Sequence, residues 1–300
     1  MKRQDVSKPQ KSIKPAVLFW FYKDIPLCVE RLTRFRRLNP ELEIYALYGG
    51  EPSKAGQAEK GISNLVDDFY CFNTPKNPEW KWENGDHLIA HWYLERGTNL
   101  KWQNIFILQW DMLILEKPLQ LMLEGVKQNQ IILSGFTKFE NVEKWWGWAK
   151  KTEQVKHFKE YLQENFSYEG PLYACLFIVA CFPRKFLAKY SSECLTEIGF
   201  LEYKIPTLAS IFGFEIFQSK QFEPWWAANP KTTTISRQQK VLNASGTSLK
   251  TRDILRELVK PNGRRIFHPY EKSFPIVFER TWLIRPLTFL AAIFRTIKNN

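Results

Sequence analysis

The chain has 300 residues, 44% hydrophobic and 25% charged, with 43 Lys and Arg against 31 Asp and Glu for a formal charge of +12. Such a composition can bury a core, which excludes wholesale disorder, a collagen-like repeat and a low-complexity chain, and the length suits one large domain or two small ones. Aromatic residues make up 15%, with 12 Trp, and Trp supplies flat surfaces that fill thick cores or line sites for rings such as bases and sugars.

Residues 1–15 read as a basic flexible tail carrying Lys2, Arg3, Lys8, Lys11 and Lys14. No apolar run of signal-peptide length follows, and no stretch of about twenty apolar residues occurs, so the expectation is a cytoplasmic protein. VLFWFYK at 17–23 is a continuous apolar run, the pattern of a strand buried on both faces. Pro26 opens a helix whose apolar positions are Cys28, Leu32, Phe35 and Leu38, with Arg31, Arg34 and Arg36 interleaved, and Asn39-Pro40 ends it. IYALYG at 44–49 and DDFYCF at 67–72 predict two further strands, and a Pro-broken loop with Trp80 and Trp82 follows. Asp86 reads as the N-cap of a helix reaching Gly97, and IFIL at 105–108 predicts a fourth strand running into Gln109, Trp110 and Asp111.

In the second half, 131–136 and 172–182 predict strands, 150–166 an amphipathic helix, and Pro206 the start of another. Residues 231–248 are polar and predict a mobile loop. The five Cys show neither C-x-x-C spacing nor a zinc-like cluster, and read as reduced, mostly buried thiols. His87 and His91 have the i, i+4 spacing of a helical metal site, but the Glu that follows the first His in such sites is Leu88, and both read as residues of a wet helix face.

Strand–helix–strand alternation over the first 115 residues predicts an α/β sheet of nucleotide-binding type. Ligands of such sheets bind beyond the carboxyl ends of the strands, where Asp111 falls. A carboxylate there can hold a divalent cation that bridges the phosphates of a nucleoside diphosphate.

The stretches VLFWFYKDIPLCVERLTRFRRLNPELEIYALYGG and WENGDHLIAHWYLERGTNLKWQNIFILQWDMLI resemble glycosyltransferases of the GT-A fold, in particular bacterial proteins with Q/E-W-D in place of the usual D-x-D. The resemblance spans most of residues 16–120, with looser echoes to about residue 270. It implies a mixed, mainly parallel central sheet flanked by helices in one large catalytic domain, 16–275. Residues 16–120 would bind a nucleoside-diphosphate sugar, UDP- or GDP-linked, and 121–275 a carbohydrate or lipid-linked acceptor, in cell-surface, glycolipid or polysaccharide synthesis. It also implies a divalent cation, Mn²⁺ or Mg²⁺, on Asp111, the last acid of the motif, with Gln109 standing where the first acid would be. Phe19, Trp20 and Tyr22 would lie beside the base, Asp86 beside ribose or sugar hydroxyls, and Gln109 and Trp110 along the donor.

The same resemblance makes Glu202, ahead of the helix expected at Pro206, the candidate general base, with Glu197 its neighbour. His268 in RRIFHPYEK is a candidate metal or diphosphate ligand, with positive charge added by Arg264, Arg265 and Lys272. Trp110, Trp145, Trp146, Trp225 and Trp226 are candidates to stack on sugar rings. Residues 276–300 form a basic, amphipathic C-terminal segment with Trp282 and Arg285, expected to lie on an anionic membrane surface or to dock as a helix on the protein. The alternative reading is a non-catalytic basic and aromatic protein binding nucleic acid or a membrane surface. No zinc finger, helix-turn-helix or RNP signature supports a nucleic-acid partner, and Lys23-Asp24-Ile25-Pro26 lacks the Gly-rich phosphate loop of a nucleotidyltransferase.

Overall fold

A computed structural model of the chain describes residues 15–115, 118–226 and 239–275. Residues 1–14 of the expected basic tail, 231–238 of the expected mobile loop and the C-terminal segment 276–300 lie outside the described residues. Four strands open the fold: β1 (Pro15–Phe21), β2 (Ile44–Tyr48), β3 (Asp68–Cys71) and β4 (Asn104–Gln109). Between them run α1 (Ile25–Leu38), α2 (Ala55–Ile62), α3 (Pro78–Glu83) and α4 (Gly85–Trp92). The rest comprises β5 (Leu113–Ile114), α5 (Leu119–Met122), β6 (Gln130–Leu133), β7 (Thr137–Lys138), α6 (Thr152–Phe166), β8 (Tyr173–Ala174), β9 (Ala180–Pro183), α7 (Arg184–Glu193), α8 (Leu201–Ile211), β10 (Glu215–Phe217), α9 (Thr251–Leu258) and β11 (Ile266–Phe267).

Seven strands form the central sheet in the order β10-β6-β9-β4-β1-β2-β3. Every neighbouring pair is parallel except those of β9, which runs against β4 and β6. The fold is thus the mixed, mainly parallel sheet flanked by helices that the sequence predicts. Its two faces are both buried: Leu18, Trp20, Ile105 and Ile107 face one core layer, and Val17, Phe19, Phe106 and Leu108 the other, which is why β1 and β4 read as unbroken apolar runs. Because β1 to β4 are parallel, Tyr22, Gly49, Phe72 and Trp110 all leave the sheet at one edge, and β6 ends there too, at Ser134.

Three expectations are corrected. The run 172–182 is two strands, β8 and β9, because residues 175–179 leave the sheet and bond to Ser134 and Glu202 instead. Pro206 lies inside α8, so Glu202 sits in that helix's first turn and not in a loop before it. Of the loop expected at 231–248, Val241 to Asn243 are tied by main-chain bonds to Trp225 and His268. All five Cys are free thiols, four buried and Cys71 half-buried, as expected. Among the described residues no helix is long and apolar enough to cross a membrane.

The interleaved arginines of α1 also carry a role that sequence reading missed. Arg31 donates to the carbonyls of Tyr270 and Lys272, Arg34 to that of Phe274, and Glu30 bonds both guanidiniums and accepts from Phe274 N. The buried charge is therefore matched by carbonyls and a carboxylate. The legible signal is a pair of arginines, three residues apart, on the same helix face as Leu27, Cys28 and Phe35.

Candidate functional site

The site begins where β4 ends. Trp110 N donates to Trp20 O, continuing the ladder for one residue, and Asp111 O accepts from Tyr270 N. These bonds fix the Asp111 side chain against the late segment that α1 clamps. Asp111 Oδ1 and His268 Nε2 face each other at 3.4 Å, both largely buried. His268 Nδ1 lies 2.8 Å from Asn243 O, and since a carbonyl only accepts, this nitrogen carries the hydrogen. Nε2 therefore meets Asp111 Oδ1 lone pair to lone pair unless a proton or a cation lies between them. Burial works against both charges, but each more than restores the other: His268 holds Asp111 below the usual carboxylate range, and Asp111 holds His268 above the usual imidazole range.

Around this pair, Tyr22 is 37% exposed and stands edge-on to Trp110 at 5.6 Å. Lys23 Nζ lies over the Trp110 ring at 4.6 Å. Burial and then the charge of Asp111 push the Tyr22 hydroxyl up. Gln109 Nε2 donates to Phe177 O at 2.5 Å, tying the motif to the 175–179 segment.

Glu202 joins from the other side of that segment. Proline has no N–H, so Pro206 leaves the Glu202 carbonyl, four residues back, without its helical partner. That carbonyl accepts from Cys175 N at 2.8 Å, and Glu202 Oε1 accepts from Phe177 N at 2.6 Å. One residue thus pins the segment twice. Burial pushes the Glu202 carboxyl up to about 8, against the opposing pull of the Phe177 N–H and of His268.

The sign of this shift gives a test. Between an ordinary Glu value of 4.5 and about 8 the folded chain holds a proton that the unfolded chain has lost, so this group's contribution to stability falls as pH rises through that window. Glu202→Gln keeps an acceptor for Phe177 N–H and removes the titration. The variant is expected to gain on the parent progressively from pH 5 to pH 9, by a few kcal/mol at most. Urea melts at several pH values check it; a pH-independent difference would contradict the buried protonated acid.

A cleft of about 390 Å³ lies beyond β2 and β3, lined by Gly50, Pro52, Asn73, Pro75, Lys76 and Lys81. Lys81 Nζ donates to Gly50 O at 2.7 Å, and burial lowers its pKa. Sequence reading missed this cleft, although the Gly49-Gly50 pair and the Pro-broken loop at 73–78 mark both of its walls.

Four further expected residues have the following surroundings. Phe19 is wholly buried and stacked on Phe21, on the core face of β1. Trp20 is buried with its indole against Gly85, where an added Cβ would meet it at 2.3 Å. Asp86 is not an N-cap: Asn84 holds that position of α4, and the Asp86 carboxylate is buried against Lys204 Nζ at 2.7 Å and Tyr190 OH. Glu197 is a surface acid bonded to Lys76 and Trp80.

The accessory charges are also placed differently. Arg264 and Arg265 donate to main-chain carbonyls, Arg264 to Gln221 and Arg265 to Glu257. The expected wet face of α4 is dry at His87, whose Nε2 meets Thr196 O at 2.6 Å, while His91 packs on Phe72.

Among the described residues no group of three or more His, Cys, Asp and Glu is placed to hold a metal ion. Two ligands fit one in part. Asp111 Oδ1 is buried without a hydrogen bond and His268 Nε2 faces it, and Mg²⁺-type sites commonly rest on one or two carboxylates with the remaining positions on substrate phosphates and water.

No family model matches the chain, and no curated protein does. Among solved structures it is similar to the WbbM bifunctional glycosyltransferase (12% identity, TM-score 0.41), covering 71% of this chain and 40% of that one. It is similar also to the galactosyltransferase LgtC in complex with donor and acceptor sugar analogues (14%, TM-score 0.39), covering 68% and 74%. A cytidylyltransferase from Leptospira borgpetersenii is a third (12%, TM-score 0.37), covering 70% and 77%. The chain thus spans well under two thirds of WbbM, and at these TM-scores the likenesses carry no assignment of activity.

Proposed function

We propose that the chain is a glycosyltransferase that moves a sugar from a nucleoside-diphosphate donor to an acceptor hydroxyl. The observation that carries this reading is the Asp111–His268 pair, a buried carboxylate oxygen without a hydrogen bond facing an imidazole nitrogen at the strand ends where open α/β sheets bind ligands. Residues 16–120 are the donor half in this reading. The base occupies the cleft beside Lys81, with Tyr22 and Trp110 toward the diphosphate and Lys23, over the Trp110 ring, as a cation beside it. Residues 121–275 form the acceptor half.

Asp111 and His268 would hold a divalent cation, which supplies charge to offset the negative charge growing on the leaving diphosphate. With no cation present, the same two atoms share a proton. Glu202 serves as the base that takes the proton of the attacking hydroxyl in an inverting transfer. Its elevated pKa makes it, once ionised, a stronger base than an ordinary glutamate. Gln109, with its amide on Phe177 O, holds the 175–179 segment so that Glu202 and the motif keep their relation.

The test is a thermal-shift panel of UDP, GDP and CDP and their sugar conjugates, with and without Mn²⁺ or Mg²⁺. A ligand at one hundred times its Kd stabilises the native chain by about 2.7 kcal/mol, so one nucleotide is expected to raise Tm by several degrees, more with the cation. If no nucleotide shifts the melt, the transferase reading fails and the non-catalytic binder takes its place.

A further inference from the structure

Five of the chain's tryptophans lie in one connected run of rings. Trp82 on α3 contacts Trp148 at 5.2 Å, Trp148 stacks on Phe200 at 4.0 Å, and Phe200 contacts Trp146 at 6.4 Å. Trp146 meets Trp226 at 5.5 Å, and Trp226 meets Trp145 at 5.6 Å. Phe200 and Trp146 are buried and act as anchors, whereas Trp82 is 50% exposed and Trp145, Trp148 and Trp226 are half-buried. The run therefore presents two aromatic stations to solvent, Trp82 with Trp148 at one end and Trp145 with Trp226 at the other. Lys151 steadies the first, its Nζ lying 4.2 Å from the Trp148 ring centroid and 2.9 Å from Glu83.

The second station is one wall of a cavity of about 440 Å³, whose lining combines apolar side chains such as Phe136 and Phe217 with the polar Asn141, Gln218 and Glu223, and includes Gly135. Gly135 has φ +69°, and a Cβ there would come within 2.9 Å of Trp226 Nε1, so the bare backbone leaves room for that indole. Flat rings beside amide and carboxylate oxygens suit a sugar, which has an apolar ring face and a rim of hydroxyls. Both stations are joined to the site along the chain: Phe200, on which Trp148 stacks, is the residue from which α8 starts, two before Glu202, and Trp225, which precedes Trp226, donates its N–H to Leu242 O, next to the Asn243 that bonds His268.

We infer that the acceptor is a glycan chain of several sugars lying along this run, not a single sugar or a small aglycone. The inference deepens the transferase reading and rests on it. A monosaccharide fills one station. Only a chain long enough to reach both gains the second contact within one molecule, where the effective concentration is high.

The test is binding of linear oligosaccharides of one to six residues, built on glucose, galactose and N-acetylglucosamine, to the full chain by calorimetry. Affinity is expected to rise about tenfold or more between the shortest and the longest members of one series. Trp82→Ala removes a half-exposed ring, so its fold is checked by its melt, and it is expected to keep the monosaccharide affinity and abolish the gain with length. Trp145→Ala is expected to weaken every length. Length-independent affinity, no binding by any series, or a Trp82→Ala variant that binds like the parent overturns the inference, as does a Trp82-dependent attachment to phosphatidylglycerol vesicles without glycan binding. A nucleotide titration of the same preparation separates the two readings. Nucleotide binding without glycan binding sinks the glycan chain alone, and glycan binding without nucleotide binding sinks the transferase.

Discussion

Asp111→Asn is expected to lower sugar transfer roughly 10²–10³-fold, the loss seen when one preorganised charge-stabilising group is removed from an active site. The substitution keeps the side chain's shape, and the Asp111 carbonyl still accepts from Tyr270 N, so the melt is expected to stay near that of the parent. What changes is charge. His268, still bonded to Asn243 O, loses the carboxylate that raises its pKa, and the imidazole is expected to titrate at lower pH by NMR. Parental turnover in a variant whose His268 has shifted would separate the ion pair from catalysis and remove Asp111 from the site.

The second large effect is on folding. Lys204 is fully buried, with Nζ 2.7 Å from Asp86 Oδ2 and 2.9 Å from Thr196 O. It fastens α8, which carries Glu202, to α4. Lys204→Met leaves the Asp86 carboxylate buried with Tyr190 as its side-chain partner, and removing one member of a buried pair costs about 3–5 kcal/mol. For a domain of this size that lowers Tm by about 10 °C. Replacing both members, as Asp86→Leu with Lys204→Met, is expected to recover most of the loss, since a well-packed apolar pair often matches a buried ion pair. The double variant also asks whether Asp86 touches the donor: nucleotide binding is expected to persist, and its loss in a folded protein would give Asp86 back its place beside the ribose.

Much of the sheet was legible because a parallel strand buried on both faces leaves an unbroken apolar run, as β1, β2 and β4 do. The end of β4 was legible for the same reason, and with it Asp111. His268 could be singled out by residue type and by family likeness, but its partner could not, since 157 residues separate it from Asp111 and the two meet through long-range contacts, the antiparallel pairing of β11 with β5 and the Tyr270 N–Asp111 O bond. Asp86 illustrates the opposite failure. Its local signal, an acid at the start of an apolar helix, is that of a cap, and what decides its role is a lysine on α8 that local patterning does not connect to it. Pro206 misled in a similar way, because a proline inside a helix is tolerated when the carbonyl it frees finds another donor, here Cys175 N.

The clamp of α1 on the late segment bears on biosynthesis. Arg31 and Arg34 are made early, and their main-chain acceptors follow 239 to 241 residues later. At about 5–20 residues per second, the first helix waits on the order of 10–50 s for the carbonyls that cover its guanidiniums. Strands β1 to β4 can pair in that interval, but the aspartate at their edge acquires its histidine only when nearly the whole domain has left the ribosome. A nascent chain stalled before residue 268 would thus carry a nearly complete sheet without the Asp111–His268 pair, with two guanidiniums of α1 answered by Glu30 alone and open to any chaperone or protease that reads them.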